Sequence, residues 1–327
     1  MSSYIAGWGV ATPSAVVTNA DLARRLDTSD EWIVERTGIR ERRIAIDGES
    51  TATLGADAAR AAIDRAGLSP ADVDLLIVAT STPETLMPHT GAYIGEELGL
   101  ECGSFDLNSA CTGFVTALIV GHAMVNAGHH NVVVVGAETM SRVADPDDRS
   151  TYILFGDGAG ALVLRRSPDA GCLLGWDLGG DGSATDILII PAGGSRQPTT
   201  ARTVADRGHF MKMQGGEVFK RAVRAVVDSA HLALRNAERT ISDVRWFVPH
   251  QANLRIIEAA AQRLEIPMDR VVTNIASFGN TSTASIPLAL AAAADRGDLH
   301  AGDIMLLSGF GAGMSWASAV ARWGGPR

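Results

Sequence analysis

The sequence predicts an α/β layered fold, because short runs of β-forming residues alternate along the chain with longer alanine-rich runs. The β-forming runs, such as LLIVAT, are continuously apolar, which is typical of strands that are covered on both faces. The predicted strands are residues 75–80, 132–136, 161–164, 246–248 and 304–307. The predicted helices are residues 51–66, 111–127, 216–236, 254–264 and 285–296.

The composition limits the class of protein. The 327 residues are 46% hydrophobic and carry a formal net charge of −9. A chain this apolar can bury a large core, which argues against disorder. Its negative charge argues against a nucleic-acid partner, since phosphate binding requires a clustered positive surface. A local arginine patch on an acidic molecule remains compatible with an acidic protein partner.

The chain resembles a duplicated unit. FGDGAGALVL at 155–164 closes the first half and FGAGMSWASAV at 310–320 closes the second. Cys111 precedes Gly128 by the same 17 positions by which Asn280 precedes Gly297, which predicts that Cys111 and Asn280 occupy equivalent places. Glycine-rich turns at similar places in an α/β fold also produce sequence similarity of this kind without duplication. The predicted halves are residues 1–168, with a nucleophilic cysteine, and residues 169–327, with a histidine and an asparagine.

Cys111 is the cysteine with chemical potential. It directly precedes an apolar helical run, and the positive end of a helix dipole favours thiolate over thiol. The same pattern also fits a small buried core cysteine. Cys102 and Cys172 lack such surroundings, and no CxxC pair supports a metal site, so all three are expected to be free thiols.

The apolar run at 111–127 is expected to be a buried helix and not a membrane span. It contains His122 and Asn126 and leads almost directly into a strand. The N-terminal residues MSSYIAGWGV show no signal-peptide pattern. Together with a chain in which Lys212 and Lys220 are the only lysines, this favours a bacterial cytoplasmic protein.

Two further residues stand at positions where side chains reach an active site. His250 ends the strand-like run WFVPH, and Asn280 lies in FGNTSTAS before an alanine-rich helix. Strand-to-helix corners face the catalytic edge of α/β sheets. Taken alone, His250 also fits a capping histidine, and Asn280 fits a helix cap or turn.

The segments NSACTGF, VPHQANLRII and FGNTSTAS together resemble the Cys, His and Asn motifs of β-ketoacyl-acyl-carrier-protein synthase III enzymes, in the same order and spacing. SDEWIVERTGIRERR, FGDGAGALVL and GGEVFK resemble that family as well. The resemblance implies a thiolase-like αβαβα sandwich of two pseudo-symmetric halves. It also implies a homodimer that uses neither a metal nor a redox cofactor.

The resemblance also implies a mechanism. Cys111 would take an acyl group from acyl-CoA, with the oxyanion held by the backbone N–H groups of Cys111 and Ala312. His250 and Asn280 would hold the enolate that forms when malonyl-acyl carrier protein loses carbon dioxide. Ala312 replaces a glycine that is frequent in the family, so this loop is compatible with alanine only if it has no positive φ there.

Binding residues follow from the same resemblance. The adenine of CoA would lie between Trp32 and Arg149, with Thr28, Arg36 and Asn253 nearby. Met87 would reach from a partner subunit to limit the acyl pocket, and its flexibility predicts branched or longer primers than acetyl. The basic residues expected to dock the acidic carrier protein are Lys220, Arg224, Arg255 and Arg263.

Two other functions are compatible with parts of this pattern. An acyltransferase of the same fold would load Cys111 and pass the acyl group to an alcohol or amine without decarboxylation. A non-catalytic partner subunit would be expected to lack the nucleophile. A dehydrogenase lacks support, because GDGAG at 156–160 does not have the spacing of a dinucleotide fingerprint.

Overall fold

The structure is a computed structural model that describes residues 2–168 and 171–324. Its strands are β1 (Ser2–Ala11), β2 (Ala15–Thr18), β3 (Glu41–Ile44), β4 (Leu75–Ala79), β5 (Gly103–Leu107), β6 (Asn131–Thr139), β7 (Asp157–Ser167), β8 (Leu173–Gly180), β9 (Leu188–Ile189), β10 (Lys212–Met213), β11 (Trp246–Pro249), β12 (Ile304–Gly311) and β13 (Ser315–Arg322). Its helices are α1 (Asn19–Ala23), α2 (Asp30–Thr37), α3 (Thr51–Arg65), α4 (Thr90–Leu98), α5 (Gly113–Ala127), α6 (Arg149–Tyr152), α7 (Ala201–Ala205), α8 (Gly215–Asn236), α9 (Leu254–Arg263), α10 (Ile275–Phe278) and α11 (Ser285–Asp295).

The predicted strands and helices are confirmed. The five predicted strands correspond to β4, β6, β7, β11 and β12, and the five predicted helices to α3, α5, α8, α9 and α11. The helix whose start differs most from the predicted one is α5. It begins at Gly113 and not at Cys111, because Ala110–Thr112 forms a 3-10 turn.

Strand β1 escaped the sequence analysis because its pattern SSYIAGWGVA mixes glycines with bulky residues. Its side chains alternate between half-buried and buried along most of its length, as expected of a strand that lies against a helix on one face. Gly7 and Gly9 let α3 approach closely, since a methyl group on Gly9 would overlap the carbonyl oxygen of Ala58.

The elements stack in five layers, which confirms the αβαβα sandwich. Helices α3 and α4 cover the outer face of a five-stranded sheet with the order β1-β7-β6-β4-β5. Helices α8 and α9 cover the outer face of a four-stranded sheet with the order β11-β12-β13-β8. Between the two sheets lie α5 and α11, whose apolar side chains form one core with the inner faces of both.

The two sheets repeat one strand order. The order β8-β13-β12-β11 in the second sheet corresponds strand by strand to β1-β7-β6-β4 in the first. The position of β5 in the first sheet is matched in the second by a parallel bridge between Phe247 and Val271. The predicted boundary between residues 168 and 169 falls between β7 and β8. Residues 169 and 170 lie outside the described residues, so this boundary stays a prediction.

The predicted equivalence of Cys111 with Asn280 is wrong by three residues. A 3-10 turn precedes α5 at Ala110–Thr112 and precedes α11 at Ser282–Ala284. Ala110 and Ser282 open these turns with the same unusual backbone, at φ 46° and 48°. Cys111 therefore corresponds to Thr283, and Asn280 lies before the repeated turn.

The segment Ala110–Ala127 is long and apolar enough to cross a membrane by length and composition alone, and 56% of it is buried inside the structure. Helix α5, which forms most of it, packs against strands of both sheets. Its apolar character is therefore explained by the core.

We predict that Gly9→Ala lowers the free energy of unfolding by about 1–3 kcal/mol, because the added methyl group forces α3 away from β1. Urea unfolding would measure the change. Gly182→Ala is the control, since a methyl group there meets no atom within 4 Å. Equal midpoints for the two variants would contradict the prediction.

Candidate active site

A cavity of about 470 Å³ contains Cys111, His250, Asn280 and Ala312 in its lining. These residues come from both halves of the chain. Cys111 belongs to the turn before α5, His250 follows β11, Asn280 precedes the turn before α11, and Ala312 follows β12. The fold therefore brings together the four residues that the sequence analysis assigned to the chemistry.

Cys111 is held at the cavity by a tight turn. The turn starts at Ala110, whose φ of 46° is uncommon for a residue with a side chain. It is fixed by a hydrogen bond from the Ala110 N–H to the Asn108 side chain, at 3.1 Å, and by one from the Thr112 hydroxyl to the Ser109 carbonyl, at 2.6 Å. The Cys111 side chain is thereby buried and directed to the cavity lining.

The expectation that Cys111 rests as a thiolate is wrong. Burial raises the pKa of the Cys111 thiol to about 11, and the neighbouring Glu138 carboxylate adds to this effect. Desolvation of the charged sulfur is the largest cause of this shift and favours the neutral thiol near pH 7.

His250 is buried and fixed by a neighbouring hydroxyl. Its Nδ1 lies 2.6 Å from the Ser285 hydroxyl, which also accepts a hydrogen bond from the Gln251 N–H. When the Ser285 hydroxyl donates to Nδ1, the neutral ring carries its own proton on Nε2. Burial lowers the pKa of His250 to about 3, so the ring is neutral and offers one N–H donor.

The Asn280 side chain has a fixed orientation. Its Oδ1 accepts a hydrogen bond from the Ser282 N–H at 2.9 Å, and its backbone N–H donates to the Leu154 carbonyl at 2.8 Å. With the oxygen occupied, the amide NH₂ group is the part left to donate to a molecule in the cavity.

The backbone at Gly311 lies close to the Cys111 nitrogen. A methyl group on Gly311 would stand 2.7 Å from the Cys111 nitrogen, so only glycine permits this approach. Ala312 follows directly and lines the cavity, and its backbone φ is not positive. Alanine therefore fits this loop, and its N–H is retained.

The residues predicted to bind a nucleotide surround Trp32. The Arg36 guanidinium lies 4.4 Å from the Trp32 ring centroid, and the Arg149 guanidinium lies 4.7 Å from it. A purine stacked between these two side chains would hold the Arg149 guanidinium about 7 Å from the Trp32 ring, which is the sum of two van der Waals contacts. Arg149 rests on the ring itself and bonds to the Asp27 carbonyl, and the stacking of adenine between Trp32 and Arg149 stays a prediction.

The other two predicted nucleotide contacts differ in position. Asn253 lines the cavity, caps α9 by accepting from the Arg255 N–H, and donates to the Arg36 carbonyl at 3.0 Å. Thr28 does not line the cavity, and its buried hydroxyl has no hydrogen-bond partner among the described residues.

Met87 does not line the cavity of its own chain. Its side chain is 87% exposed, as is that of Leu86 beside it. The predicted docking residues are exposed on two adjacent helices, with Lys220 and Arg224 on α8 and Arg255 and Arg263 on α9.

One branch of the cavity is apolar. It is formed by a small cluster of hydrophobic side chains that is separate from the cores of the two sheets. The members that line the cavity are Met140, Val143, Leu154, Phe155, Leu188, Ile190 and Met211. A hydrocarbon group bound there would be removed from water and would contact only apolar side chains of this cluster.

Sequence analysis missed three polar residues beside the predicted ones. Ser285 supports His250, Ser282 donates to the Cys111 sulfur at 3.4 Å, and the buried Glu138 lies behind them. The signal for Glu138 was a carboxylate in VVVVGAET, at the end of an otherwise apolar strand. Within the described ranges, no group of three or more His, Cys, Asp or Glu side chains is placed to hold a metal ion.

Comparisons with known proteins agree on one family. A family model for 3-oxoacyl-[acyl-carrier-protein] synthase III matches residues 105–182, and the model for the C-terminal part of that family matches residues 234–323. The β-ketoacyl-[acyl-carrier-protein] synthase III of Roseiflexus sp. strain RS-1 is 47% identical over 99% of both chains. The Sinorhizobium medicae protein of that name is 48% identical over 98% of this chain and 99% of its own.

Solved structures give the same result. The 3-oxoacyl-(acyl carrier protein) synthase III of Pseudomonas aeruginosa PAO1 superposes with a TM-score of 0.91, at 42% identity over 100% of both chains. The priming β-ketosynthase from the R1128 polyketide pathway superposes with a TM-score of 0.92, at 39% identity over 99% of this chain and 97% of its own.

We predict that the His250 imidazole stays neutral from pH 8 down to about pH 4, since its pKa is held near 3 by burial. The unfolded chain binds a proton at this ring near pH 6.5, whereas the folded chain does so only near pH 3, so protonation favours unfolding. The contribution of the neutral ring to stability is therefore complete above pH 6.5 and declines as the pH falls toward 3. NMR of ¹³C-labelled histidine would follow the ring, with His250→Asn to assign its signal. A titration midpoint near 6.5 would contradict the prediction.

Proposed function

Because this chain belongs to the 3-oxoacyl-[acyl-carrier-protein] synthase III family, we propose that it condenses an acyl-CoA primer with malonyl-acyl carrier protein. The product is a β-ketoacyl-acyl carrier protein, and the reaction initiates fatty-acid synthesis. The observation that carries the proposal is the meeting of a thiol, an imidazole and an amide in one buried cavity. An acyltransferase would need the thiol but would have no use for two neutral donors facing it.

The proposed first step is acylation of Cys111. Its sulfur attacks the acyl-CoA carbonyl, a tetrahedral oxyanion forms, and CoA leaves. The Cys111 and Ala312 N–H groups are the proposed donors to that oxyanion, supported by the close approach that Gly311 permits. Backbone donors suit this role because they need no reorganisation when the charge develops.

The proposed second step is decarboxylation of the malonyl thioester. Loss of carbon dioxide leaves an enolate, and its oxygen is stabilised by the His250 Nε2–H and the Asn280 amide. A neutral histidine suits this role, since it donates a hydrogen bond without giving its proton away. The enolate carbon then attacks the Cys111 thioester, and the thiolate leaves. Side chains and backbone supply each of these steps, so we propose that neither a metal nor a redox cofactor takes part.

Trp32, Arg36 and Asn253 are proposed to bind the CoA arm, because they line the cavity where charged residues replace apolar ones. Arg149 rests on Trp32 in this structure, so stacking of adenine on Trp32 requires Arg149 to move. Thr28 is proposed to contribute its unpartnered hydroxyl.

The apolar branch of the cavity is the proposed site for the primer chain. Burial of each methylene group contributes about 0.8 kcal/mol, and the lining offers a longer chain no charged group to avoid. We therefore propose that branched or medium-length primers are accepted as well as acetyl.

A homodimer is proposed from two exposed features of the first sheet. Strand β5 lies at the edge of that sheet, and the loop after β4 exposes Leu86 and Met87 almost fully. Exposed apolar groups beside an open sheet edge are typical of an interface. A partner seated there would cover Met87. We also propose a bacterial cytoplasmic location, supported by bacterial relatives and three free cysteines.

The proposed docking surface for the carrier protein comprises Lys220, Arg224, Arg255 and Arg263. Lys220 follows Phe219, and Arg255 lies two residues after Asn253, and both Phe219 and Asn253 line the cavity. Lys220 and Arg224 pair with Glu217 and Asp228 on their own helix, which reduces their local charge. Substitution of Arg255 therefore tests the proposed docking surface most directly.

We predict that purified protein given an acyl-CoA and malonyl-acyl carrier protein forms a β-ketoacyl product two carbons longer than the primer and releases carbon dioxide. Acetyl-, isobutyryl- and octanoyl-CoA are expected to serve. Cys111→Ala should abolish the product, and His250→Ala should lower the rate about 100- to 1000-fold by removing one enolate donor. Carrier-bound product mass and labelled carbon dioxide are the measurements.

Two outcomes of this assay would count against the proposals. Acylation of Cys111 without decarboxylation would contradict the condensing function and favour the acyltransferase. Strict use of acetyl-CoA would leave the condensation standing and refute the proposed primer range.

We predict that Arg255→Glu raises the KM for malonyl-acyl carrier protein about tenfold at low salt and weakens the dependence of KM on salt, because it removes an attractive charge beside the cavity. Steady-state rates at several salt concentrations would measure both effects. Arg296→Glu makes the same charge change at the end of α11, outside the docking helices. An equal rise in KM for Arg296→Glu would count against a local docking surface.

A further inference from the structure

Arg42 on β3 is a charged side chain that is buried near the candidate active site. It is 1% exposed, and its guanidinium donates hydrogen bonds to three neutral oxygens: the Ile153 carbonyl at 2.7 Å, the Asn19 side chain at 2.8 Å and the Val17 carbonyl at 3.2 Å. Its Nε–H is buried without a hydrogen-bond partner among the described residues. Burial lowers the pKa of Arg42 to about 10, so the guanidinium stays charged near pH 7.

The guanidinium of Arg42 is a weak source of stability. A buried charge loses its hydration, and a neutral oxygen offsets that loss less well than a carboxylate does. An apolar side chain of similar length fills such a space without this desolvation cost. What the guanidinium supplies is geometry, because its planar set of N–H donors holds the chain at residues 17–19 and at Ile153 at the same time.

The segment that Arg42 holds is also the one to which Asn280 is bonded. The Asn280 N–H donates to the Leu154 carbonyl at 2.8 Å, and the Asn280 carbonyl accepts from the Gly156 N–H at 3.1 Å. Asn280 is thus fixed through both of its backbone groups. The segment that fixes it begins at Ile153, whose carbonyl oxygen accepts from Arg42.

The stem of Arg42 packs beside the same contact. A methyl group on Gly156 would stand 3.0 Å from the Arg42 Cβ, and one on Gly279 would stand 3.4 Å from it. Gly279 directly precedes Asn280 and has a φ of 64°, in the left-handed region that favours glycine. Arg42 therefore lies against both the segment that carries Asn280 and the segment that receives its hydrogen bonds.

We propose, on the basis of the proposed function, that Arg42 is a positioning residue for the Asn280 amide during decarboxylation of the malonyl thioester. Arg42 does not line the cavity, so it acts through the backbone of residues 153–156 and not on a substrate. Loss of its donors frees these residues to shift, and a misplacement of about 1 Å costs an active site about 100-fold in rate. Acylation of Cys111 does not use the Asn280 amide, so that step keeps its rate.

The predicted CoA-binding side of the cavity has an anchor of its own. The Asn19 amide donates to the Asp30 carboxylate at 2.8 Å and to the Ile39 carbonyl at 2.7 Å. Asp30 is the first residue of α2, the helix that carries Trp32. These bonds do not involve Arg42, so an effect of Arg42 on condensation alone would not arise from the CoA side.

The test measures the two steps separately by single turnover. Acetylation of Cys111 by saturating acetyl-CoA is followed as the mass of the intact chain. The acetylated protein is then mixed with malonyl-acyl carrier protein, and the carrier-bound product is followed. Arg42→Met keeps an apolar stem and removes the donors, so it should lower the condensation rate about 10- to 100-fold and leave the acetylation rate unchanged. Arg42→Lys keeps the charge with a single ammonium group and should lie between Arg42→Met and wild type.

Arg43→Met is the matched control, because Arg43 is the next residue on β3 and its guanidinium bonds to Glu41 instead. It should change neither step. Asn280→Ala supplies the second comparison. If Arg42 acts through the Asn280 amide, Arg42→Met should lower the condensation rate no further in the Asn280→Ala background.

Three results would overturn the assignment: equal losses in both steps, an equal loss of condensation for Arg43→Met, or the same loss from Arg42→Met with and without Asn280. Arg42→Lys decides the question in the same comparisons if Arg42→Met fails to fold. A wild-type chain that is acetylated but forms no β-ketoacyl product would overturn the proposed function, and this inference with it.

Discussion

The contact between the first turns of α5 and α11 is the constraint on which the cavity depends. A methyl group on Gly113 would stand 2.9 Å from the Thr283 side chain, and one on Gly136 would stand 2.6 Å from the Thr283 carbonyl oxygen. Gly113 thus lets the starts of both central helices touch, and Gly136 lets β6 approach the same turn. Because one start carries Cys111 and the other carries Ser282, this packing brings the two halves of the site together.

Burial between the sheets determines the protonation states in the cavity. The same desolvation raises the pKa of the Cys111 thiol and lowers that of His250, so both groups are neutral at rest. A neutral imidazole suits donation to an enolate, whereas a neutral thiol is a poor nucleophile. Burial of these two groups therefore favours the second proposed step and makes the first depend on loss of the Cys111 proton.

Much of the layered fold was predictable, because continuous apolar runs and alanine-rich runs differ in length and period. The runs that became β4 and α5 were read correctly for this reason. Strand β1 was missed because its glycines serve the close approach of α3, a tertiary requirement that no local pattern expresses. The predicted alignment of the two halves is shifted by three residues at Asn280. The feature that aligns them correctly is the positive φ of Ala110 and Ser282, which residue spacing does not reveal.

The candidate site was predictable in its residues more than in its electrostatics. Cys111, His250 and Asn280 could be named from motifs, and the structure lines one cavity with them. The thiolate expectation failed because a helix terminus is visible in sequence and desolvation is not. The contact between the Arg149 guanidinium and the Trp32 ring depends on side-chain packing, which the motif does not express.

The central claim is that this cavity orients an acyl group on Cys111 for attack from the side of His250 and Asn280. A crystal structure of the octanoyl-loaded protein tests it most directly. We expect the thioester oxygen to lie about 2.7–3.1 Å from the Cys111 and Ala312 nitrogens, with the acyl chain in the apolar branch beside Met211. A thioester oxygen bound instead by His250 and Asn280, or an acyl group on another residue, would contradict it.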